Sequence, residues 1–274
     1  MKNQYCMVSV DVEEDLNSNP KTYRGVENLN PLLVLFEKYH ISSTLFVTGD
    51  VLEKYPQDVL HWSKRHEIAC HGNLHRPLSL ADPVQREEDL RAFLKTYERI
   101  LGKSPLGFRA PQHTIDQTQF RLLEKLNFQY DSSVVSNYLF LRKYVGFKGK
   151  APKIPYFPDS SDYKKQGRMN ILEIPNPGLA GGFLFCGTWI RYFGPRFYSL
   201  LLDISRLHYL SLAVHSWDTV VHRDRFQRNS GRNFFGIMES LLKKMRREVA
   251  FFRGDEIRDR LSNALTAYIF RLLI

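Results

Sequence analysis

The stretch Tyr5-Cys6-Met7-Val8-Ser9-Val10-Asp11-Val12, followed at once by Glu13-Glu14-Asp15, decides the fold of this chain. It is an apolar, β-branched run with the length of a buried strand, and it ends in a cluster of carboxylates. Further strand-like runs follow at Ser42–Val47, Glu67–Cys70, Leu106–Arg109, Asn170–Ile174 and Leu210–Val214. Because helical patterns separate these runs, the sequence predicts βα units and a mainly parallel sheet.

Helices are predicted in the intervals between the strands. They cover Glu27–His40, Val51–Arg65 and a long segment to about Leu101, with Asp82 as N-cap and Pro83 at the first helical position. Thr114 or Asp116 caps a further helix, and the tail from about residue 257 to 274 has an amphipathic pattern. The length of 274 residues fits one α/β domain over residues 1–274.

The formal charge of +10 bears on the partners of the protein. Basic residues are concentrated towards the end of the chain, at Arg223, Arg225, Arg228, Arg232, Lys243, Lys244, Arg246 and Arg247. Such a surface attracts nucleic acid, anionic lipid or a phosphate-bearing substrate. No nucleic-acid-binding motif accompanies it, so nucleic acid is not the expected partner. Two readings stay open for the basic helical extension over about 232–274, namely docking on the domain and peripheral membrane contact.

The sequence also bears on the compartment. It contains no run of about eighteen apolar residues, and no leader pattern precedes the first strand. We therefore expect a cytoplasmic protein, with the inner membrane face as the place of any membrane contact. Cys6, Cys70 and Cys186 are few, odd in number and widely spaced, which indicates free thiols.

Five polar residues fall where predicted strands end, or within one. They are Asp11, His71, Arg109, Glu173 and His215. In a parallel barrel the carboxyl ends of the strands face one common site, to which several strands contribute catalytic groups. Each of these residues alone has an ordinary structural explanation, but together they predict a single active site.

His71 and His75 are the best candidates for metal ligands. Their His-x-x-x-His spacing brings the two imidazoles together on one face of a helix or across a tight turn. A hydrolytic site needs one carboxylate besides two histidines, with a coordination position left for water. The cluster from Asp11 to Asp15 contains that carboxylate, and the cation is most simply Zn²⁺.

These motifs resemble the polysaccharide deacetylase superfamily, also called the NodB-homology domain or carbohydrate esterase family four. The resemblance covers about residues 5–218, and its five motifs occur in the family order. They correspond here to Val10-Asp11-Val12-Glu13, His71-Gly72-Asn73-Leu74-His75, Arg109-Ala110-Pro111-Gln112, Tyr130-Asp131-Ser132-Ser133 and Leu212-Ala213-Val214-His215-Ser216-Trp217.

The resemblance implies a distorted (β/α) barrel of about seven parallel strands and a role for each motif. Glu13, His71 and His75 would hold the metal, with Glu14 and Asp15 as alternatives to Glu13. Asp11 would be the base, paired with Arg109. The backbone N–H of Gln112 would stabilise the oxyanion, and His215 would be the acid. A carboxylate would support His215, and either Glu173 or Asp131 would serve.

Three departures from the family pattern accompany the resemblance. Val12 separates the two carboxylates of the first motif, which are adjacent in the common form. Gly72 replaces the usual hydroxyl residue after the first histidine, and the usual tryptophan of the fourth motif is missing.

The expected function is removal of the N-acetyl group from an N-acetylhexosamine-containing glycan or glycan precursor, the latter lipid-linked or otherwise anionic. One alternative is a deformylase of a lipid-linked formamido-sugar. A catalytically silent glycan-binding module is another. The retained base, acid and ligand pair count against the silent module, and they also count against a metal-free branch of the superfamily that opens cyclic ureides.

Overall fold

The computed structural model describes residues 4–16, 18, 20–136, 146–147, 149–220, 234–247 and 249–272, with the backbone alone for 264–272. The strands are β1 (Gln4–Val12), β2 (Thr44–Val47), β3 (Glu67–Cys70), β4 (Gly107–Phe108), β5 (Tyr130–Asp131), β6 (Leu172–Glu173), β7 (Tyr209–His215) and β8 (Val249–Phe252). The helices are α1 (Arg24–Glu27), α2 (Asn30–Lys38), α3 (Gly49–Lys54), α4 (Pro56–Trp62), α5 (Pro83–Leu101), α6 (Gln117–Lys125), α7 (Gly187–Ser205), α8 (Phe234–Met245) and α9 (Gly254–Leu272).

The strands form one parallel sheet that curls into a half-barrel. Its order is β6-β5-β4-β3-β2-β1-β7, and β8 pairs with the first half of β1. The predicted fold class, a distorted (β/α) barrel with about seven parallel strands, is therefore confirmed. In the register of β1 with β7, Asp11 lies opposite His215. The carboxyl ends of the strands thus meet at one edge, as parallel pairing requires.

Side chains of β1 alternate between two environments, as the two-residue period of a strand requires. Val8, Val10 and Val12 pack into the large core between the sheet and the helices. Met7 belongs to a second apolar cluster inside the half-barrel. Ser9 and Asp11 share the face of Met7, so β1 carries polar groups into the interior at its carboxyl end.

Some predicted elements are confirmed and others differ. The long helix α5 is confirmed, with the Asp82 carboxylate accepting hydrogen bonds from the N–H groups of Val84 and Gln85. The helix predicted over Val51–Arg65 is two helices, because Pro56 lacks the N–H that would continue the first one. The helix predicted over Glu27–His40 is likewise divided between α1 and α2.

The amino-terminal end of the half-barrel is closed by the start of α9. The Gly254 N–H donates to Thr44 Oγ1 (2.9 Å), and the Asp255 N–H donates to Glu67 Oε2 (3.2 Å). Tyr130 donates its hydroxyl to the other oxygen of Glu67 at 2.8 Å. Burial and the nearby Asp255 raise the pKa of Glu67 to about 7. The tail helix therefore begins as part of the domain.

Other expectations fall partly outside the described residues. Arg223, Arg225, Arg228 and Arg232 lie there, so the boundaries of the motif core and of the basic extension stay predictions. None of the helices in the described ranges has the length and apolarity needed to cross a membrane. The three cysteines are free thiols.

Candidate metal centre and active site

Glu13, His71 and His75 converge at the carboxyl edge of the sheet. Glu13 follows β1 directly, His71 follows β3, and His75 lies in the turn after His71. Glu13 Oε2 is 3.1 Å from His71 Nε2 and 2.8 Å from His75 Nε2. One potential ligand atom from each residue lies within 4.8 Å of the other two. This is the two-histidine, one-carboxylate donor set of a hydrolytic metal site.

The hydrogen bonding of His71 fits a bound cation. Its Nδ1 lies 2.8 Å from the backbone carbonyl oxygen of Arg109, so Nδ1 carries the hydrogen in the neutral ring. Nε2 then presents a lone pair to the Glu13 carboxylate. Two acceptors facing each other at this distance need a proton or a cation between them. A ligand histidine whose other nitrogen donates to a backbone carbonyl is the usual arrangement around protein-bound metals.

The structure separates the three acidic residues that follow β1. The Asp15 carboxylate binds the segment that follows it. It accepts hydrogen bonds from Thr22 Oγ1 (2.6 Å), the Arg24 N–H (2.8 Å) and the Gly25 N–H (2.9 Å). Glu14 forms an ion pair with Lys21. Glu13 is the one that faces the two histidines, and Trp217 Nε1 donates to its other oxygen at 3.0 Å.

The turn between the two histidines explains one departure from the family pattern. Gly72 has a φ of +80°, a left-handed conformation that strains residues with a side chain. The Asn73 N–H after it donates to Asp89 Oδ2 at 2.8 Å, which holds the turn against α5. The ring centroids of His71 and His75 are 5.4 Å apart across this turn. The pair therefore meets through a glycine turn rather than on a helix.

Asp11 lies between a buried arginine and a histidine. Its Oδ1 accepts a hydrogen bond from Arg109 Nη1 at 2.7 Å, and its Oδ2 is 3.9 Å from His215 Nε2. Burial by itself would raise the pKa of Asp11, but the positive charge of Arg109, with His71 and His215, lowers it below the ordinary value. Asp11 is therefore an ionised carboxylate at neutral pH, as a general base must be.

Arg109 is fully buried, and a network of acceptors satisfies its guanidinium. Nη1 also donates to Ser9 Oγ (2.9 Å), while Nε and Nη2 donate to the carbonyl and hydroxyl oxygens of Ser132, both at 3.0 Å. The guanidinium carbon lies 4.1 Å from the centre of the Phe46 ring. Because each donor direction has a partner, Arg109 can hold Asp11 in only one orientation.

His215 is supported by Asp218, which sequence reasoning missed. Asp218 Oδ2 lies 3.5 Å from His215 Nδ1 and accepts the His215 backbone N–H at 2.9 Å. Asp218 Oδ1 accepts from Arg191 Nη1 at 2.9 Å. Gly187 lies at the start of α7, and a Cβ atom at this position would lie 2.1 Å from Asp218 Oδ2. Only glycine therefore allows the helix to come this close to the carboxylate. Burial would lower the pKa of His215, but Asp218 and the other nearby carboxylates outweigh it and raise the pKa to about 9.

The expectation that Glu173 or Asp131 supports His215 needs correction. These two residues are register partners in β5 and β6, and both are fully buried. Asp131 accepts hydrogen bonds from Ser133, whose hydroxyl oxygen in turn accepts the Ala110 N–H at 2.8 Å. Burial raises the pKa of both carboxyls. Through Ser133 and the Val134 N–H these carboxyls hold the backbone next to Arg109, and the carboxylate that contacts His215 is that of Asp218.

Gln112, the predicted oxyanion donor, has an unusual backbone conformation. Gln112 and His113 have successive positive φ values of 56° and 55°. Consecutive residues of this kind are uncommon outside glycine and occur at functional sites. His113 Nδ1 lies 3.1 Å from the Ser133 carbonyl oxygen, and burial lowers the pKa of His113 to about 3, so its ring is neutral.

Trp217, the last residue of the fifth motif, lies within the site. Its ring stacks on His215 with centroids 4.3 Å apart, while its Nε1 binds Glu13. Trp217 and Asp218 follow His215 by two and three positions. The signal available in the sequence was therefore a carboxylate three positions after His215, whereas we expected the supporting carboxylate on another strand.

The chain is similar in sequence to known deacetylases. A family model described as polysaccharide deacetylase matches residues 18–130. The chain is 28% identical over 160 residues to peptidoglycan deacetylase-like protein FGM2 of Gibberella zeae and 29% identical over 158 residues to the peptidoglycan deacetylase of Helicobacter pylori. Each match covers 56% of this chain, with 47% and 54% of the respective relatives. The match thus spans about half the length of these curated relatives.

Solved structures share the fold over nearly the whole chain. A Mycobacterium smegmatis protein described as a polysaccharide deacetylase superposes with a TM-score of 0.68 at 18% identity, covering 96% of this chain and 91% of that one. The PuuE allantoinase superposes with a TM-score of 0.64 at 15% identity, covering 94% and 90%. At such identities the likeness extends to the fold alone, and the reaction has to be argued from the site.

Proposed function

We propose that this chain, which resembles the polysaccharide deacetylase superfamily in its motifs, sequence matches and fold, is a metal-dependent hydrolase that removes the N-acetyl group from an N-acetylhexosamine-containing glycan or glycan precursor. The observation that carries the proposal is the convergence of the Glu13-His71-His75 donor set with an ionised Asp11 and with His215. A ligand set, a base and an acid at one strand edge are the parts that hydrolysis of an amide requires.

The metal site supplies one part of the chemistry. Glu13, His71 and His75 would hold a divalent cation, most simply Zn²⁺, which would supply Lewis-acid polarisation of the acyl carbonyl and increase the acidity of water. Trp217 and the Arg109 carbonyl orient Glu13 and His71 through hydrogen bonds of 3.0 and 2.8 Å. Such supporting bonds fix ligand geometry and tune affinity for the metal.

The base and the acid divide the proton transfers between them. Asp11 accepts a proton from the attacking water as the new C–O bond forms at the acyl carbon, and the Arg109 charge keeps Asp11 ionised for this step. The Gln112 backbone N–H stabilises the negative charge that develops on the carbonyl oxygen. His215 gives its proton to the sugar nitrogen as the C–N bond breaks, so that acetate and a free amine leave. Asp218 keeps His215 protonated and oriented for this transfer.

The experiment is a combined measurement of metal content and amine release. The wild-type protein is expected to bind one Zn²⁺ and to release amine from N-acetylglucosamine oligomers, and H71A/H75A should lose both properties. His61 is an exposed histidine on α4, so H61A removes an imidazole without touching the site and should behave as wild type. Metal binding without amine release would direct the search to formylated or lipid-linked sugars. Absence of metal in all three proteins would refute the mechanism and favour a silent binding module.

The finer parts of the proposal are the sugar, the acyl group and the place of action. A cytoplasmic, lipid-linked or anionic glycan precursor at the inner membrane face remains a prediction from the sequence. Comparing N-acetyl and N-formyl forms of the same amino sugar separates the deacetylase from the deformylase. A ratio of kcat/KM values in favour of the formyl form would overturn the acetyl assignment.

A further inference from the structure

The outer side of α7 carries large apolar side chains that the described part of the protein leaves uncovered. Tyr192 is 61% exposed, Leu200 57% and Ile204 54%. Half-buried aromatic rings adjoin them, and successive centroids along the helix lie 4.8 to 5.6 Å apart. The helix changes direction at Gly194, whose φ is 79°, and the rings continue across that break. We call this surface the α7 face and define it by Trp189, Tyr192, Phe193, Phe197, Leu200 and Ile204.

Positive charge surrounds the α7 face. Arg196 is exposed within the same helix, and Arg206 is exposed at its end. Lys244 of α8 binds the Ser199 hydroxyl at 2.7 Å and the Asp203 carboxylate at 2.6 Å. This contact brings the basic end of α8 next to the exposed aliphatic residues of α7.

The acidic residues of these two helices are already neutralised. Apart from Arg191, which is buried and paired with Asp218, residues 187–206 and 234–247 contain six lysines and arginines against two acids, Asp203 and Glu239. Asp203 pairs with Lys244, and Glu239 pairs with Lys38 of α2. The charge around the α7 face is therefore strongly positive.

We propose that the α7 face docks on the surface of a lipid bilayer that contains anionic lipid. Exposed aliphatic and aromatic side chains enter the boundary between headgroups and acyl chains, and surrounding lysines and arginines bind anionic headgroups. Tyrosine and tryptophan rings favour this depth because they combine an apolar body with a polar edge.

Two other occupants fit the α7 face less well. A glycan would stack on the rings, but Leu200 and Ile204 offer a sugar neither a flat surface nor a hydrogen bond. A second copy of the chain in a two-fold contact would bring the same positive charges of both molecules together, which is unfavourable. A bilayer with anionic headgroups offers acyl chains to the apolar side chains and negative charge to the surrounding lysines and arginines.

Docking through the α7 face affects the position of the active site and does not depend on the reaction catalysed there. The α7 helix begins at Gly187, in contact with the Asp218 carboxylate beside His215. Docking of α7 would therefore hold the catalytic edge near the bilayer surface. The sequence suggested membrane contact through the basic C-terminal region, whereas this proposal assigns it to α7 together with the end of α8.

The test is flotation of the full chain with vesicles of phosphatidylcholine and with vesicles of equal parts phosphatidylcholine and phosphatidylglycerol. We expect binding to the anionic vesicles, weakening with added salt. L200S/I204S should lower the vesicle partition coefficient by at least about tenfold, because two apolar side chains no longer enter the bilayer. V34S/V84S is the matched control, since Val34 and Val84 are 64% and 67% exposed on other helices. The control should bind as the wild type does.

A second measurement identifies the contact directly. Trp62 and Trp217 are buried whereas Trp189 is partly exposed, so quenching of tryptophan fluorescence by brominated lipid reports on Trp189. Strong quenching in anionic vesicles supports the proposal. Absence of vesicle binding at low salt would overturn it, as would equal losses in L200S/I204S and V34S/V84S. Concentration-dependent dimerisation that L200S/I204S abolishes, without vesicle binding, would assign the α7 face to a second copy instead.

Discussion

The contact between Asp218 and His215 makes a quantitative prediction about pH dependence. In the proposed mechanism His215 acts as an acid and must be protonated, so activity is lost as pH rises through the pKa of His215. Asp218, Glu13 and Asp11 together raise the pKa to about 9 from an ordinary value of 6.5. In D218N the carboxylate 3.5 Å from Nδ1 becomes neutral, and loss of one such charge lowers a pKa by about one unit or more.

The assay is the pH profile of kcat/KM for amine release in wild type and D218N. The alkaline limb of D218N should move down by about one pH unit. The acid limb should move less, because the Asp11 pKa depends first on burial and then on Arg109. A cation bound beside Glu13 lowers the His215 pKa in both proteins, so the difference between the two profiles is the quantity to measure.

A matched control separates this effect from a loss of stability. D218N also removes the negative charge that pairs with Arg191, which should cost free energy of unfolding because Arg191 is buried. D116N neutralises an aspartate that pairs with the buried Arg86 at 2.8 Å. D116N should lower stability and leave both limbs of the profile unchanged. If the D218N profile coincides with that of the wild type, Asp218 does not act through His215 and the assignment is wrong.

Further predictions concern the base, the metal support and the turn. R109Q should raise the pKa of Asp11, and because the base works only when ionised, the acid limb of the profile should move to higher pH. W217F keeps the stacking on His215 but loses the 3.0 Å bond to Glu13; Zn²⁺ affinity, measured by competition with a chelator, should fall by about ten- to a hundredfold. G72A places a side chain at a φ of +80° and should lower the free energy of unfolding by about 1–2 kcal/mol, measured by urea titration. Unchanged values in these three measurements would contradict the corresponding contacts.

Much of the fold could be predicted because it follows from local patterns. The strand β3 and the helix α5 were predicted at their observed bounds, since each has a clear apolar pattern and α5 also has a capping aspartate. The strands β4, β5 and β6 each have two residues, too few to show a period. Their pairing depends on neighbouring strands instead, which is why β5 was not predicted as a strand.

The residues that converge at the site could be named from the sequence, but their partners could not. Asp11, His71 and His215 were found because each lies at the end of an apolar run, where a parallel sheet gathers side chains. The choice between Glu13, Glu14 and Asp15 needed the path of the chain after β1, because three adjacent carboxylates look alike in sequence. In the structure the Asp15 carboxylate accepts hydrogen bonds from backbone N–H groups, whereas the Glu13 carboxylate faces the histidines.

The sequence by itself therefore determined the parallel α/β architecture and the residues that gather at the carboxyl edge of its sheet. Both follow from the two-residue period of strands and from the rule that parallel strands end on the same side. Only the tertiary structure decided that Asp218, rather than Asp131 or Glu173, supports His215. The tertiary structure also revealed the exposed apolar side of α7, a segment that was not predicted from the sequence as a helix. Such contacts depend on how separate elements pack in three dimensions, and no periodicity along the chain encodes them.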